Sequence, residues 1–280
     1  MAPVDRSHLF SDHAELTLRD WARRLRIFRF CRAFGGHAND GDSLEAAYGW
    51  GSEQELHRCL ELAGDLGSLR DEARATFLLG LAKYYRGELH DADRLNLQAR
   101  EWLERTGERY FQMQNYRALG LYALARDDLE DAERWLREAI PVGLEEGGRH
   151  ILEVYRFLTE TLVRQGRVDD AATLAEFAGR DVPVEDAVAQ AYVLLGRAAV
   201  ASSKGDSEAI EVYKDAIARL DQQVLPVEAA DARVTFANVL RQFGNDDEQP
   251  EHVGASPGRT DEWARRSYPP GEPVRRWDQP

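Results

Sequence analysis

The residues whose types suit chemistry are few and scattered. His57 and Cys59, with Cys31 and His37 upstream, are the donor types of a zinc site. Residues two apart on a helix point away from each other, so a helical His57 and Cys59 cannot share one ion. The other histidines (His8, His13, His90, His150 and His252) lie far apart, and two cysteines set up no disulfide framework. Paired carboxylates at Asp127-Asp128 and Asp169-Asp170 are of the type used in general acid–base catalysis. Each pair also stands where a helix would start, and there a negative charge complements the helix dipole. Neither a Gly-rich phosphate loop nor a nucleophile elbow occurs. The expectation is a non-catalytic binding protein with no cofactor and no metal. A hydrolase with an unrecognised site is the alternative, which a cluster of perturbed acids in a closed cavity would favour.

Any binding residues must be positioned by a ladder of small side chains. Leu79 to Ala99 places Gly80, Gly87, Ala92 and Ala99 at fixed offsets. The set returns as Gly120, Asp127, Ala132 and Ala139, then as Thr159, Gly166, Ala171 and Ala178. It returns again as Ala198, Gly205, Ala209 and Ala216, and a half-copy ends at Ala237 and Gly244. The turn position falls at 87, 127, 166, 205 and 244. A period of this size is the mark of a repeat architecture. Glycine at a turn reaches the left-handed conformation without penalty, and acidic residues just after it suit the next helix N-terminus. Leu79, Leu119, Leu158 and Leu136 are the larger knobs expected to fill the seam. Pro141 falls inside a predicted helix, where proline breaks or kinks, so an early stop is expected with 142–146 as a separate turn.

The spacing Leu-Gly, a turn Gly seven residues on, then Ala five later and Ala seven later, resembles the tetratricopeptide repeat. The resemblance covers residues 72–244. The proline that closes such repeats is absent, and the period exceeds the usual 34 by about five residues. That is similar to the longer-helix arrays of bacterial regulators and signalling ATPases. The resemblance implies an all-α fold of antiparallel helix pairs stacked into a right-handed superhelix, with the first helix of each pair lining a concave groove. Carried over by position, the groove residues are Arg74, Phe77, Leu81, Tyr84 and Tyr85, then Gln114, Arg117, Leu121 and Leu124. Glu153, Arg156, Glu160, Val163 and Arg164 follow, then Tyr192, Leu195 and Ser202, and in the last helix Asp231, Asn238 and Arg241. Arg74, Arg117, Arg156 and Arg164 would form a basic track, and Phe77, Tyr84, Tyr85 and Tyr192 an apolar one. Such a groove suits an extended peptide or protein partner with acidic and apolar groups. The other reading has these arginines pairing with Glu153, Glu160 and neighbouring acids. The Lys and Asn set with which the family clamps a C-terminal carboxylate is not matched. The implied function is a peptide- or protein-binding scaffold; the alternative is the ligand-sensing portion of a bacterial transcriptional regulator or signalling ATPase.

Composition bounds the partners. The chain has 280 residues and a formal net charge of −14. Residues 1–52 are neutral by count, so the acidity lies in the array and the tail. Nucleic-acid binding needs a basic footprint, and an anionic membrane selects for one too. Neither partner is expected, and a cytoplasmic location is. Three segments follow: a leader, capping helix and glycine-rich loop over 1–51, the array over 52–244, and a disordered tail over 245–280. A helix is expected from Ala14 to Phe34, with Leu18, Trp21, Leu25 and Phe28 at helical spacing among Arg19, Arg23, Arg26 and Arg29. It could cap the array, dock an acidic partner or touch nucleic acid. Two Trp/Arg clusters in the tail, at Trp263 with Arg265 and Arg266 and at Arg275, Arg276 and Trp277, are either inert or a short docking motif.

Overall fold

The computed structural model describes residues 50–146, 150–223 and 225–244. The expected Ala14–Phe34 helix, most of the glycine-rich loop and the tail lie outside them; the end of that loop, Trp50 and Gly51, is helical instead. Ten helices and no strand occur among the described residues: α1 Trp50–Asp65, α2 Leu69–Tyr85, α3 Leu89–Thr106, α4 Arg109–Ala125, α5 Leu129–Glu146, α6 His150–Arg164, α7 Val168–Ala178, α8 Ala187–Ser203, α9 Glu208–Gln222 and α10 Pro226–Gln242. They pack as antiparallel pairs, α2 with α3, α4 with α5, α6 with α7 and α8 with α9, and each pair stacks on the next. No described helix is long and apolar enough to cross a membrane.

The turn ladder is read directly in the backbone. Gly87, Gly166, Gly205 and Gly244 have φ of 77°, 78°, 73° and 74°, and Asp127 takes the same left-handed conformation at 60°. An aspartate is among the few residues that tolerate it. The Asp128 carboxylate then accepts from the Asp131 N–H at 3.1 Å, closing the first turn of α5.

The alanines of the ladder face inward. Ala92, Ala99, Ala132, Ala139, Ala171, Ala209 and Ala216 are fully buried, and Leu79, Leu119, Leu136 and Leu158 fill the seams beside them. At Gly120 a Cβ would stand 2.7 Å from Leu136 Cγ, so the α4 backbone rests directly on a leucine of α5. The equivalent contact in the first pair is Gly80 against Asn96. Asn96 is buried and donates to Tyr122 Oη at 2.8 Å, while Asn115 donates to the Asn96 carbonyl at 3.1 Å. This polar knot fixes the register between the first two pairs.

Two departures from regularity shape the stack. Helix α5 runs through Pro141 to Glu146 instead of stopping. Val142 and Gly143 are buried there, and a Cβ on Gly143 would lie 2.7 Å from Ile151 Cδ1, so tight packing against α6 holds the last turn in place despite the missing N–H. Helix α7 has only 11 residues. Its brevity lets α8 pack broadly on α6, so that neighbouring first helices touch face to face. The apolar core divides into a cluster over Leu56–Ala178 that also takes in Val200 of α8, and a second one over α8–α10, with Leu152 of α6 against both.

Two glycines at mid-helix separate packing from propensity. Gly120→Ala must push Leu136 aside and is expected to cost about 1–3 kcal/mol. Gly196→Ala meets nothing nearer than Thr159 at 3.8 Å and is expected to stabilise by about 0.5–1 kcal/mol through helix propensity. Urea unfolding of both variants measures the difference in sign.

Candidate functional site

The first helices of the pairs, α2, α4, α6, α8 and α10, carry the face that the resemblance places inward, and charged side chains on it are tied to one another across repeats. Arg74 of α2 pairs with Glu108 at the start of α4, which also takes Arg70 at 2.9 Å. Arg117 Nη1 of α4 donates to Glu153 of α6 at 2.5 Å, and its Nε donates to Gln114 at 2.7 Å. Arg156 Nη2 of α6 reaches past α8 to Asp231 of α10, again at 2.5 Å. Arg164 Nη2 donates to Asp127 at 2.7 Å. All four arginines of the expected basic track thus have a carboxylate from another repeat. Of the two readings that the sequence left open, the geometry favours internal pairing.

The aromatic positions are mostly interior. Phe77, Tyr84 and Tyr192 are 3%, 6% and 5% exposed. Phe77 meets the edge of Phe111, and Tyr84 stacks on Tyr122 with ring centroids 4.8 Å apart. They build the layers between repeats and present no flat face to a ligand. Tyr85, packed edge-on against Tyr84, is half-buried. Phe77 meets Phe111 and Tyr84 meets Tyr122 between α2 and α4, so these rings are consumed in the seam between first helices.

Around Arg117 and Arg156 stand four carboxyl groups, Glu153, Glu160, Glu228 and Asp231, from α6 and α10. Glu153 and Asp231 hold the arginines. Glu228 has its Oε2 sealed from solvent without a hydrogen-bond partner. Burial, reinforced by the charge of Glu153, pushes its carboxyl up to about 7. Burial also raises Glu160, in spite of Arg156 and Arg164 nearby. Arg156 shows the opposite balance: burial works against its charge, but Asp231 and Glu160 outweigh it and hold the guanidinium charged. Burial raises the phenols of Tyr192 and Tyr213 as well.

A small pocket opens beside this cluster, lined by Arg156, Glu160, Leu195, Ala199, Tyr213 and Thr235. Its lining offers one acid, one guanidinium and two hydroxyls, and no imidazole or thiol. Glu160, Leu195 and Asp231 are groove positions by resemblance. Glu228 was not singled out, because an acid in the first turn of a helix reads as a dipole partner; Tyr213 was missed because it belongs to a second helix. No three His, Cys, Asp or Glu side chains among the described residues are placed to hold a metal ion. His57 is exposed and lies 3.7 Å from Glu53, while Cys59 is buried, so the two point apart as helix geometry demands. Cys31 and His37 lie outside the described residues.

The acids set a pH dependence of definite sign. Glu228 holds its proton more tightly folded than unfolded, so the stability it adds is full below its ordinary pKa of 4.5 and is lost as pH rises through about 7. Glu160 adds to the same trend. Glu133 acts oppositely: burial resists its ionisation, but hydrogen bonds from Arg137, Gln165 and Arg167 pull it down, so its contribution is lost on acidification below 4.5. Glu228→Gln is expected to remove much of the alkaline decline and to raise stability at pH 8 by about 1–3 kcal/mol. Urea unfolding at pH 5 and pH 8 reads it.

No protein-family model matches the chain, and no curated protein does. Among solved structures the chain is similar to the crystal structure of a Rap protein complexed with Competence and Sporulation Factor, with a TM-score of 0.62 and 15% sequence identity. The match covers 81% of this chain and 60% of the Rap chain, so the protein spans about three fifths of that structure's length. At this identity the likeness concerns the fold alone, and that fold is a stack of antiparallel helix pairs with the character of tetratricopeptide repeats.

Proposed function

We propose that the protein is a non-catalytic scaffold that binds a peptide or a segment of a protein partner along the inner face of its array, within residues 52–244. The observation that carries this reading is the ionic lining of that face. Arg117, Glu153 and Arg156 are largely removed from water, yet charged groups there stabilise no better than apolar ones of the same volume. A face kept polar at that energetic cost is suited to directional hydrogen bonds with a ligand. The similar Rap protein was solved with a bound factor, which supports the same reading by analogy of fold.

Within this reading the inner-face side chains divide by accessibility. Tyr85, Arg74 and Arg164 are half-buried and available for contact, whereas Phe77, Tyr84, Arg117, Arg156 and Tyr192 shape the floor and hold its charges in place. A partner with acidic groups would have to compete with Glu108 and Asp127 for Arg74 and Arg164. Exposed pairs of the kind made by Asp127 are worth little, so exchange of a partner there is inexpensive.

Selection of linear peptides on the immobilised full chain, followed by amide hydrogen exchange with the selected peptide bound, tests the proposal. Slowed exchange confined to α2, α4, α6, α8 and α10 is the expected outcome. Protection confined to α3, α5, α7 and α9, or failure to select any peptide, would count against it. Arg164→Ala is expected to weaken a selected peptide about three- to tenfold while leaving stability within about 0.5 kcal/mol.

A further inference from the structure

We infer that α1 is the second helix of a pair whose first helix is supplied by residues 14–34, which dock along α1 and close that end of the array. The inference is independent of what the inner face binds. Register identifies α1. Arg86, just past α2, pairs with Glu53, and Arg126, just past α4, pairs with Asp93 at 3.2 Å. Glu53 therefore corresponds to Asp93, and α1 to α3, a second helix. At the same offset Cys59 takes the place of the fully buried Ala99, and Leu56 takes that of Asn96 and, one repeat on, of Leu136. Asn96 and Leu136 are the side chains on which the first helix of their own pair rests, at Gly80 and Gly120. Leu56 stands at that contact position, and no described helix precedes α1 to rest on it. Among the described helices α2 packs broadly on α1, but α2 belongs to the next pair; α3 is held by both its own α2 and the following α4.

The apolar side of α1 has the width of a helix with two neighbours. Leu56, Cys59 and Ala63 are buried, and Leu60 and Leu62 flank them and pack against the same core. At about 100° per residue these five positions sweep nearly half of the helix circumference. That is wider than the ~100° stripe with which a helix ordinarily faces a core. Chain order, residue pattern and charge name the occupant. In every complete pair the first helix precedes the second, as residues 14–34 precede α1, and the glycine-rich 35–49 is an ample connection. Leu18, Trp21, Ala22, Leu25 and Phe28 give the segment an apolar stripe at helical spacing. Its six arginines outnumber Glu15 and Asp20, whereas α1 carries Glu53, Glu55, Glu61 and Asp65 against Arg58. The segment is thus complementary to α1 in sign, while a second copy presenting its own α1 would bring like charges together.

Amide hydrogen exchange on the full chain, with its mass measured in solution, tests the docking. The expected result is a monomer in which residues 14–34 exchange at least about tenfold more slowly than an unfolded chain. Trp21→Asp places a charge in the apolar stripe. It is expected to abolish that protection and to speed exchange of α1 about tenfold, with α4 and α5 unchanged. Should Trp21→Asp unfold the whole array, the milder Leu25→Ala decides by the same readout: α1 must open more readily while α4 and α5 keep their protection. Unprotected residues 14–34 in the wild-type chain would overturn the inference. So would an α1 whose exchange ignores both substitutions. A dimer in which α1 loses protection on dilution would assign the face to a second copy and overturn it equally.

Discussion

The structure depends on backbone-to-side-chain contact at the crossing of each helix pair. Where Gly120 meets Leu136 there is no room for a methyl group, and Gly80 stands in the same relation to Asn96. That proximity brings Ala92, Ala99, Ala132 and Ala139 into full burial and lets thin layers, two helices deep, exclude water. In a stack each repeat packs mainly on its neighbours, so stability is close to a sum of such crossings and of the interfaces between them, with the Arg156–Asp231 pair reaching one repeat further. The left-handed turn residues, Asp127 among them, set where the chain reverses and so keep the crossings in register.

The same closeness explains why the inner face is wired with ion pairs. Any charged side chain buried on the shared face must find a partner or be neutralised. Arg117 with Glu153 and Arg156 with Asp231 are the partnered solutions. Glu228 takes the other course: burial and the charge of Glu153 push its carboxyl up to about 7, so it gains a proton more readily than its neighbours. Helix α8 lies against α6 beside the short α7, and Asp231 of α10 reaches Arg156 from the next repeat. Charge placed so is costly to move.

Much of this was legible in the chain. Small residues recurring every thirty-nine or forty positions predicted the helix pairs, their turns and the inward alanines, because periodicity of residue size is a local record of which face must be close-packed. Pro141 was misread for a reason of the same kind in reverse. Its local preference to end a helix is overridden by burial of Val142 and Gly143 against Ile151, a contact between segments that the local pattern does not show. The aromatic groove positions were misplaced outward because the resemblance assigns a face and says nothing of how deeply that face is covered.

What the sequence determined by itself was the all-α repeat, its period, its reversal points and the acidic balance of the array, since each follows from residue size, turn conformation or net charge taken locally. Only the tertiary structure decided which carboxylate each arginine would hold, that burial would raise Glu160 and Glu228, and that Tyr213 of a second helix would line a pocket with Glu160. Pairing between residues as far apart as Arg156 and Asp231 depends on how the layers curve. Curvature is the sum of many small packing differences between repeats, among them the shortened α7, and no single residue carries it.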